Sequence, residues 1–183
     1  MWVLIPVCTA PASCMHLHDE SRRLFVGMDN GNITEFQVAD DYNRMTQVRS
    51  YAAHQGRVAQ VVFSIETEWL LSVGKDKFLY IHCSDTGRRM IGYPESGVCT
   101  SLQYDVQSKT AFVGDEKGQI LMLKHDGNNL KLMTTLKGHL SAIRCLKWDP
   151  QRQMLFSGSY DQSIVCWDIG GKKGTTYELQ GHK

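Results

Sequence analysis

Leu155-Phe156-Ser157-Gly158-Ser159-Tyr160-Asp161-Gln162-Ser163-Ile164 is the stretch on which the fold turns, because the chain writes it more than once. It returns as Leu24-Phe25-Val26-Gly27-Met28-Asp29-Asn30-Gly31-Asn32-Ile33 and as Ala111-Phe112-Val113-Gly114-Asp115-Glu116-Lys117-Gly118-Gln119-Ile120. A looser copy is Leu70-Leu71-Ser72-Val73-Gly74-Lys75-Asp76-Lys77-Phe78-Leu79. Equivalent apolar positions fall at 25, 71, 112 and 156, a period of 41 to 46 residues. Each copy is an apolar run, a tight turn rich in Gly, Asp and Asn, and a second apolar run, which is the pattern of a β-hairpin.

Working outward, another short apolar run precedes each hairpin: Cys14 to Leu17, Val58 to Phe63, Val98 to Tyr104 and Ile143 to Trp148. A fourth run follows in the linkers, as in Thr46 to Tyr51 and Lys131 to Leu136. Four short strands every ~40–45 residues spell one blade of a β-propeller. The runs are nearly continuously apolar, as expected where neighbouring blades cover a sheet on both faces. The expectation is an all-β chain whose repeats occupy about 8-40, 53-86, 97-126 and 138-170, with a further repeat starting at 179-183. That gives a partial ring of about four blades.

The composition of the 183 residues, 42% hydrophobic and 21% charged with a net charge of +1, is that of a globular domain with scattered basic residues. It offers no footprint for nucleic acid. The apolar start Trp2-Val3-Leu4-Ile5-Pro6-Val7 is too short for a signal peptide, is broken by Pro6 and has no Lys or Arg before it, so it reads as a strand remnant. Six cysteines, at 8, 14, 83, 99, 145 and 166, form no C-x-x-C pair and read as reduced core thiols in a cytoplasmic protein. His16 and His18 could share one side of a strand, but with no third ligand in view they do not make a metal site.

The last repeat resembles the WD-repeat consensus: Gly138-His139, Ile143, Leu146, Trp148-Asp149-Pro150, Ser157-Gly158-Ser159, Asp161 and Trp167-Asp168. That resemblance implies a structural hydrogen-bond chain of His139, Asp161, Ser157 and Trp167, in which each polar group satisfies another away from water. The second repeat keeps His54, Ser72 and Asp76 but has His82-Cys83 in place of Trp-Asp. The first and third carry Phe36 and Leu123 at the Trp position and Asn30 and Lys117 at the Asp position, so those blades are expected to lean on apolar packing. A Ser, His and Asp in contact imitate a nucleophilic triad, but no G-x-S-x-G elbow surrounds Ser157.

A wider resemblance runs through Arg23 to Gly31, Asp41-Tyr42-Asn43, Ala53-His54-Gln55, Glu68-Trp69, Gly118-Gln119, Trp167-Asp168-Ile169-Gly170-Gly171 and Leu179-Gln180-Gly181-His182. These are similar to the WD-repeat and FYVE domain-containing proteins. In that family a propeller accompanies a FYVE zinc finger that binds phosphatidylinositol 3-phosphate on early endosomes. The paired cysteines and basic motif of such a finger are not in this chain. Zinc and membrane contact are therefore implied only for a longer protein, and no cofactor is expected here.

The function expected is a non-catalytic scaffold for proteins or peptides, within an endosomal adaptor. Its candidate binding rim comprises Asp29, Lys75, Glu116 and Tyr160, just before the turn acid position, with Arg57 and Arg144 at the starts of first strands, where Arg and Tyr favour hot spots. Two alternatives are a phosphoinositide-binding propeller and an enzyme with a site in the central channel. Arg22-Arg23 and Arg88-Arg89 lack the aromatic and glycine flanks of the first, and no P-loop, dinucleotide fingerprint or converging acids mark the second. Open sheet faces predict an oligomeric or poorly soluble chain.

Overall fold

The structure is a computed structural model, and it describes residues 8–171 and the strand 177–180. The N-terminal run Trp2 to Val7, the Lys172-Lys173 pair and the repeat start at Gly181-His182 lie outside the described residues. Among the described residues there are sixteen strands and no helix. Sheet 1 contains β1 (Ala12–His18), β2 (Arg23–Met28), β3 (Asn32–Val38) and β4 (Met45–Ala52). Sheet 2 contains β5 (Val58–Ser64), β6 (Trp69–Gly74), β7 (Phe78–Cys83) and β8 (Arg89–Pro94). Sheet 3 contains β9 (Cys99–Asp105), β10 (Thr110–Asp115), β11 (Gln119–Asp126) and β12 (Asn129–Lys137). Sheet 4 contains β13 (Ile143–Asp149), β14 (Met154–Ser159), β15 (Ser163–Asp168) and β16 (Tyr177–Gln180).

Every sheet is an antiparallel meander in chain order, so the fold is all-β, with about four blades of the β-propeller class. The four are built to one plan, down to their irregularities. Arg22, Glu68, Lys109 and Gln153, in the turn before each second strand, all take φ near +50°. Gly31, Lys77, Gly118 and Gln162 take positive φ in the next turn. The first strand of each sheet carries a β-bulge at Ser13, Ala59, Thr100 or Arg144. Three outer strands carry a second one, at Val48, Met90 and Met133. Those three apolar residues are exposed because a bulge residue has no partner across the ladder.

The chain divides into two units, residues 1–94 and 95–183, each with two sheets and its own core. In the first unit, Phe25 and Ile33 of sheet 1 pack against Val58, Val61 and Phe63 of sheet 2, with the Phe25 and Phe63 rings 4.7 Å apart. In the second, Phe112 and Ile120 of sheet 3 meet Ile143, Leu146 and Trp148 of sheet 4, with Phe112 and Trp148 at 4.8 Å. The period of about forty residues thus delivers the same two aromatic-aliphatic layers twice.

The cysteines correct one expectation. None of the six is in a disulfide, but only Cys99 and Cys166 are buried, while Cys8 and Cys145 are exposed. Side chains alternate across a strand, and on β13 that alternation turns Cys145 to the open face of sheet 4, opposite Gly158.

Candidate functional site: the blade turns and their buried hydrogen-bond chains

In sheet 4, four residues from three places in the sequence converge. The turn acid Asp161 caps its own turn by accepting from the Ser163 amide at 2.9 Å, and accepts from the Leu140 amide at 2.8 Å. His139 Nδ1 lies 3.0 Å from Asp161, and its Nε2 lies 2.7 Å from Ser157 Oγ. Trp167 Nε1–H donates to the same Ser157 oxygen at 2.8 Å. Because that oxygen accepts from the indole, its own proton is free to go to His139 Nε2. The proton on the imidazole then sits at Nδ1 and points at the carboxylate. Burial works to raise the Asp161 pKa, but hydrogen bonds from the Ser163 side chain, the Leu140 and Ser163 amides and His139 outweigh it and hold the carboxyl well below the usual carboxylate range. Ser163 Oγ, 2.9 Å from His139 Nδ1, is a fifth member that the sequence did not reveal.

Sheet 2 builds a shorter version. His54 Nδ1 lies 2.8 Å from Asp76 and its Nε2 lies 2.9 Å from Ser72 Oγ, while Asp76 also accepts from the Gln55 amide at 3.0 Å. Where sheet 4 has Trp167, sheet 2 has His82, whose buried Nδ1 has no partner among the described residues. Burial, with Arg89 and His54 adding to it, pushes His82 down to about 4. Burial also lowers His54, against the pull of Asp76. In both sheets the hydroxyl is buried, so the arrangement locks a turn and a strand together rather than presenting a nucleophile. Replacing Asp161 with Ala is expected to cost about 2–3 kcal/mol, since a charge-assisted set is lost and His139 is left with a buried N–H. A drop in the urea midpoint, read from tryptophan fluorescence, measures it; an unchanged midpoint contradicts it.

Sheets 1 and 3, expected from their Phe36 and Leu123 to lean more on apolar packing, also carry buried polar groups. In sheet 1, Glu35 is buried and accepts from Arg23 Nε at 2.8 Å and from the Tyr51 hydroxyl at 2.7 Å. Arg23 reaches on to Glu68 at 2.9 Å, Glu68 accepts from the Ser84 hydroxyl, and the guanidinium lies over the Phe63 ring at 4.4 Å. The network ties sheet 1 to sheet 2. Burial and the Glu35 carboxylate push the Tyr51 hydroxyl well above its ordinary pKa. In sheet 3, Glu95 stands where His139 and His54 stand in theirs. It lies beside Asp115, with both of its oxygens and Asp115 Oδ2 buried and unpartnered among the described residues. Burial, then the Asp115 charge, raises Glu95 to about 7.

The candidate rim residues occupy one structural position. The amides of Asp29, Lys75, Glu116 and Tyr160 donate to the carbonyls of Pro11, Arg57, Val98 and Ala142, at 2.9 to 3.0 Å. Each residue therefore anchors its turn to the entry of its own sheet's first strand, and all four side chains are exposed. Arg57 lies 3.5 Å from Asp29 of the preceding sheet. Glu116 is drawn back to the Val98 amide at 3.2 Å. Arg144 lies over the Tyr160 ring at 4.6 Å, beside a shallow pocket of about 350 Å³ that Gly158, Gln162 and Ile164 also line. Among the described residues the Lys75 side chain makes no hydrogen bond or ion pair. No group of three or more His, Cys, Asp or Glu suited to a metal ion occurs among the described residues, and no helix there is long and apolar enough to cross a membrane.

Repeated four-stranded meanders, each with a tight turn anchored by the same amide-to-carbonyl bond, and two of them locked by a His–Asp–Ser set, define WD-repeat blades. The WD domain, G-beta repeat model matches residues 45–82 and 130–168, each span running from the outer strand of one sheet through the first three of the next. The chain carries WD repeats over these spans and is similar to the WD repeat and FYVE domain-containing proteins. It is 50% identical over 172 residues to WD repeat and FYVE domain-containing protein 2 of Homo sapiens, covering 94% of this chain and 43% of that protein. It is 47% identical over 173 residues to WD repeat and FYVE domain-containing protein 1 of Mus musculus, covering 94% and 42%. The chain thus spans less than half the length of the curated relatives it matches. Among solved structures, the computationally designed Ika4 protein shares the fold at a TM-score of 0.74 and 17% identity, over 91% of this chain and 96% of that one.

Proposed function

We propose that this chain is the non-catalytic propeller part of an endosomal adaptor, working in the cytoplasm and holding protein or peptide partners on its turn rim without a cofactor of its own. The WD-repeat class supplies the coarser statement, a protein-interaction propeller. One observation carries the finer one. Four turns in the same backbone setting present three side-chain chemistries on rigid anchors, the carboxylates of Asp29 and Glu116, the ammonium of Lys75 and the phenol of Tyr160. Positions that share a conformation but not a chemistry suit recognition, since the scaffold holds each side chain still and ordering it on binding costs little. The FYVE part of the relatives' names supports the early endosome, reached through a lipid-binding finger in a longer protein. Nucleic acid is not a partner in this reading, and any membrane contact belongs to that finger.

Partner capture on the immobilised chain tests the rim. Lys75→Glu and Glu116→Lys are each expected to lower retention of a rim partner about tenfold, which corresponds to about 1.4 kcal/mol. Met133→Ser, on the outer strand of sheet 3, leaves retention unchanged. Equal retention by all three variants overturns the assignment of the rim.

A further inference from the structure

At the end of sheet 3 away from its rim turn, one row of paired residues reads Asp105, Thr110, Lys124 and Lys131. Lys124 and Lys131 are direct partners across β11 and β12. Side chains at such a register share one face with Cβ atoms about 5 Å apart, and like charges placed there repel. Nowhere else among the described residues do two side chains of the same permanent charge face each other across a ladder. The corresponding row is His18, Arg23, Gln37 and Thr46 in sheet 1. It is Ser64, Trp69 and Cys83 in sheet 2, and Asp149, Met154 and Asp168 in sheet 4.

Lys109, in the left-handed turn before β10, adds a third charge. Its carbonyl accepts from the His125 amide at 2.9 Å, and burial, then the Lys109 charge, lowers the His125 pKa. All three lysines are exposed, with sheet 4 packed in place on sheet 3. Among the described residues their side chains make no hydrogen bond or ion pair. Counter-charge is scarce around them. Asp105 is buried and accepts from the Ser108 amide at 3.1 Å. Asp126 is the only carboxylate in the β11–β12 hairpin.

We infer that Lys124 and Lys131, with Lys109 beside them, bind the phosphoryl group of a phosphorylated peptide, on a surface separate from the turn rim. A phosphorylated serine or threonine carries close to two negative charges and three acceptor oxygens near neutral pH. One such group set between Lys124 and Lys131 turns their repulsion into two charge-assisted contacts. The ammonium groups are compact charges on flexible stems, so they can close on a tetrahedral anion from both sides. Adhesion to an anionic lipid surface draws instead on several basic residues spread beside the membrane. Here three lysines meet at one corner with Asp126 at their side, which suits a single compact dianion.

Fluorescence anisotropy of the 183-residue chain at low salt tests this, with a short labelled peptide carrying one phosphoserine among glycines and alanines. Binding is expected to be about tenfold tighter than for the same peptide with plain serine, to weaken as salt rises, and to be competed by inorganic phosphate. Lys124→Gln and Lys131→Gln are each expected to weaken it about tenfold, as loss of one charge-assisted contact implies. Lys137→Gln, at the far end of β12, leaves it unchanged. Without peptide, Lys131→Gln is expected to melt at a higher temperature than the unmodified chain, because the repulsion is gone, so its lost binding is not lost folding. Four results overturn the inference: no binding, equal binding of both peptides, binding that survives both substitutions, or a preference for phosphatidylserine–phosphatidylcholine vesicles over the phosphopeptide.

Discussion

Above neutral pH, Glu95→Gln is expected to make the second unit about 2–3 kcal/mol more stable relative to the unmodified chain than it is at about pH 5. The folded Glu95 has its pKa raised from an ordinary 4.5 to about 7 by burial and by Asp115. The folded state therefore holds a proton that the unfolded chain has released between those values. Stability that this proton maintains is present at low pH and is lost as pH climbs toward and through 7, at about 1.36 kcal/mol per pKa unit. Glutamine is neutral throughout and abolishes the loss. His82 in the first unit, pushed down to about 4, has the opposite slope, since its unfolded form takes up a proton that the buried ring refuses. The readout is consequently the difference between variant and unmodified chain in guanidinium melts at two pH values. A difference independent of pH disproves it.

Arg23→Met is expected to cost about 3–5 kcal/mol, because it removes the guanidinium that pairs with two carboxylates. Glu35 is only 2% exposed, and breaking a buried pair by deleting one partner strands the other charge at about that cost. Glu68 would lose its guanidinium as well. Glu35→Gln added to Arg23→Met is expected to recover about half, because the stranded charge is then gone and the Tyr51 hydroxyl still has an acceptor. A double-mutant cycle by urea unfolding measures the coupling. Strict additivity would show that the network contributes nothing as a unit.

How much of this could be read beforehand differs by residue. The hairpins were legible because turn chemistry and strand alternation are local, and Gly-Asp-Asn turns at a fixed period leave few folds available. The His139 to Trp167 set was legible only through the family resemblance, since its members span residues 139 to 167 and touch only after three strands pair. Glu35 was not legible. It is a lone carboxylate within an apolar strand, and its partners Arg23 and Tyr51 come from β2 and β4, with no pattern in the chain to link them. Glu95 was concealed by its own identity, occupying the histidine position of sheet 3 with the opposite charge preference. The exposed Cys145 was misjudged for a simpler reason. A residue in an apolar run is buried only if something covers that side of its strand.

The bulges of the outer strands bear on how copies of this chain can meet. A strand at a sheet edge normally offers a regular ladder of unpaired amides and carbonyls, on which another strand can grow. With Val48, Met90 and Met133 each inserted as an extra residue, β4, β8 and β12 present a ladder that falls out of step partway along. An incoming strand pairs on one side of the bulge and faces the wrong groups on the other. Edge-on, fibre-like growth is thereby discouraged in three of the four sheets, although their tips are apolar.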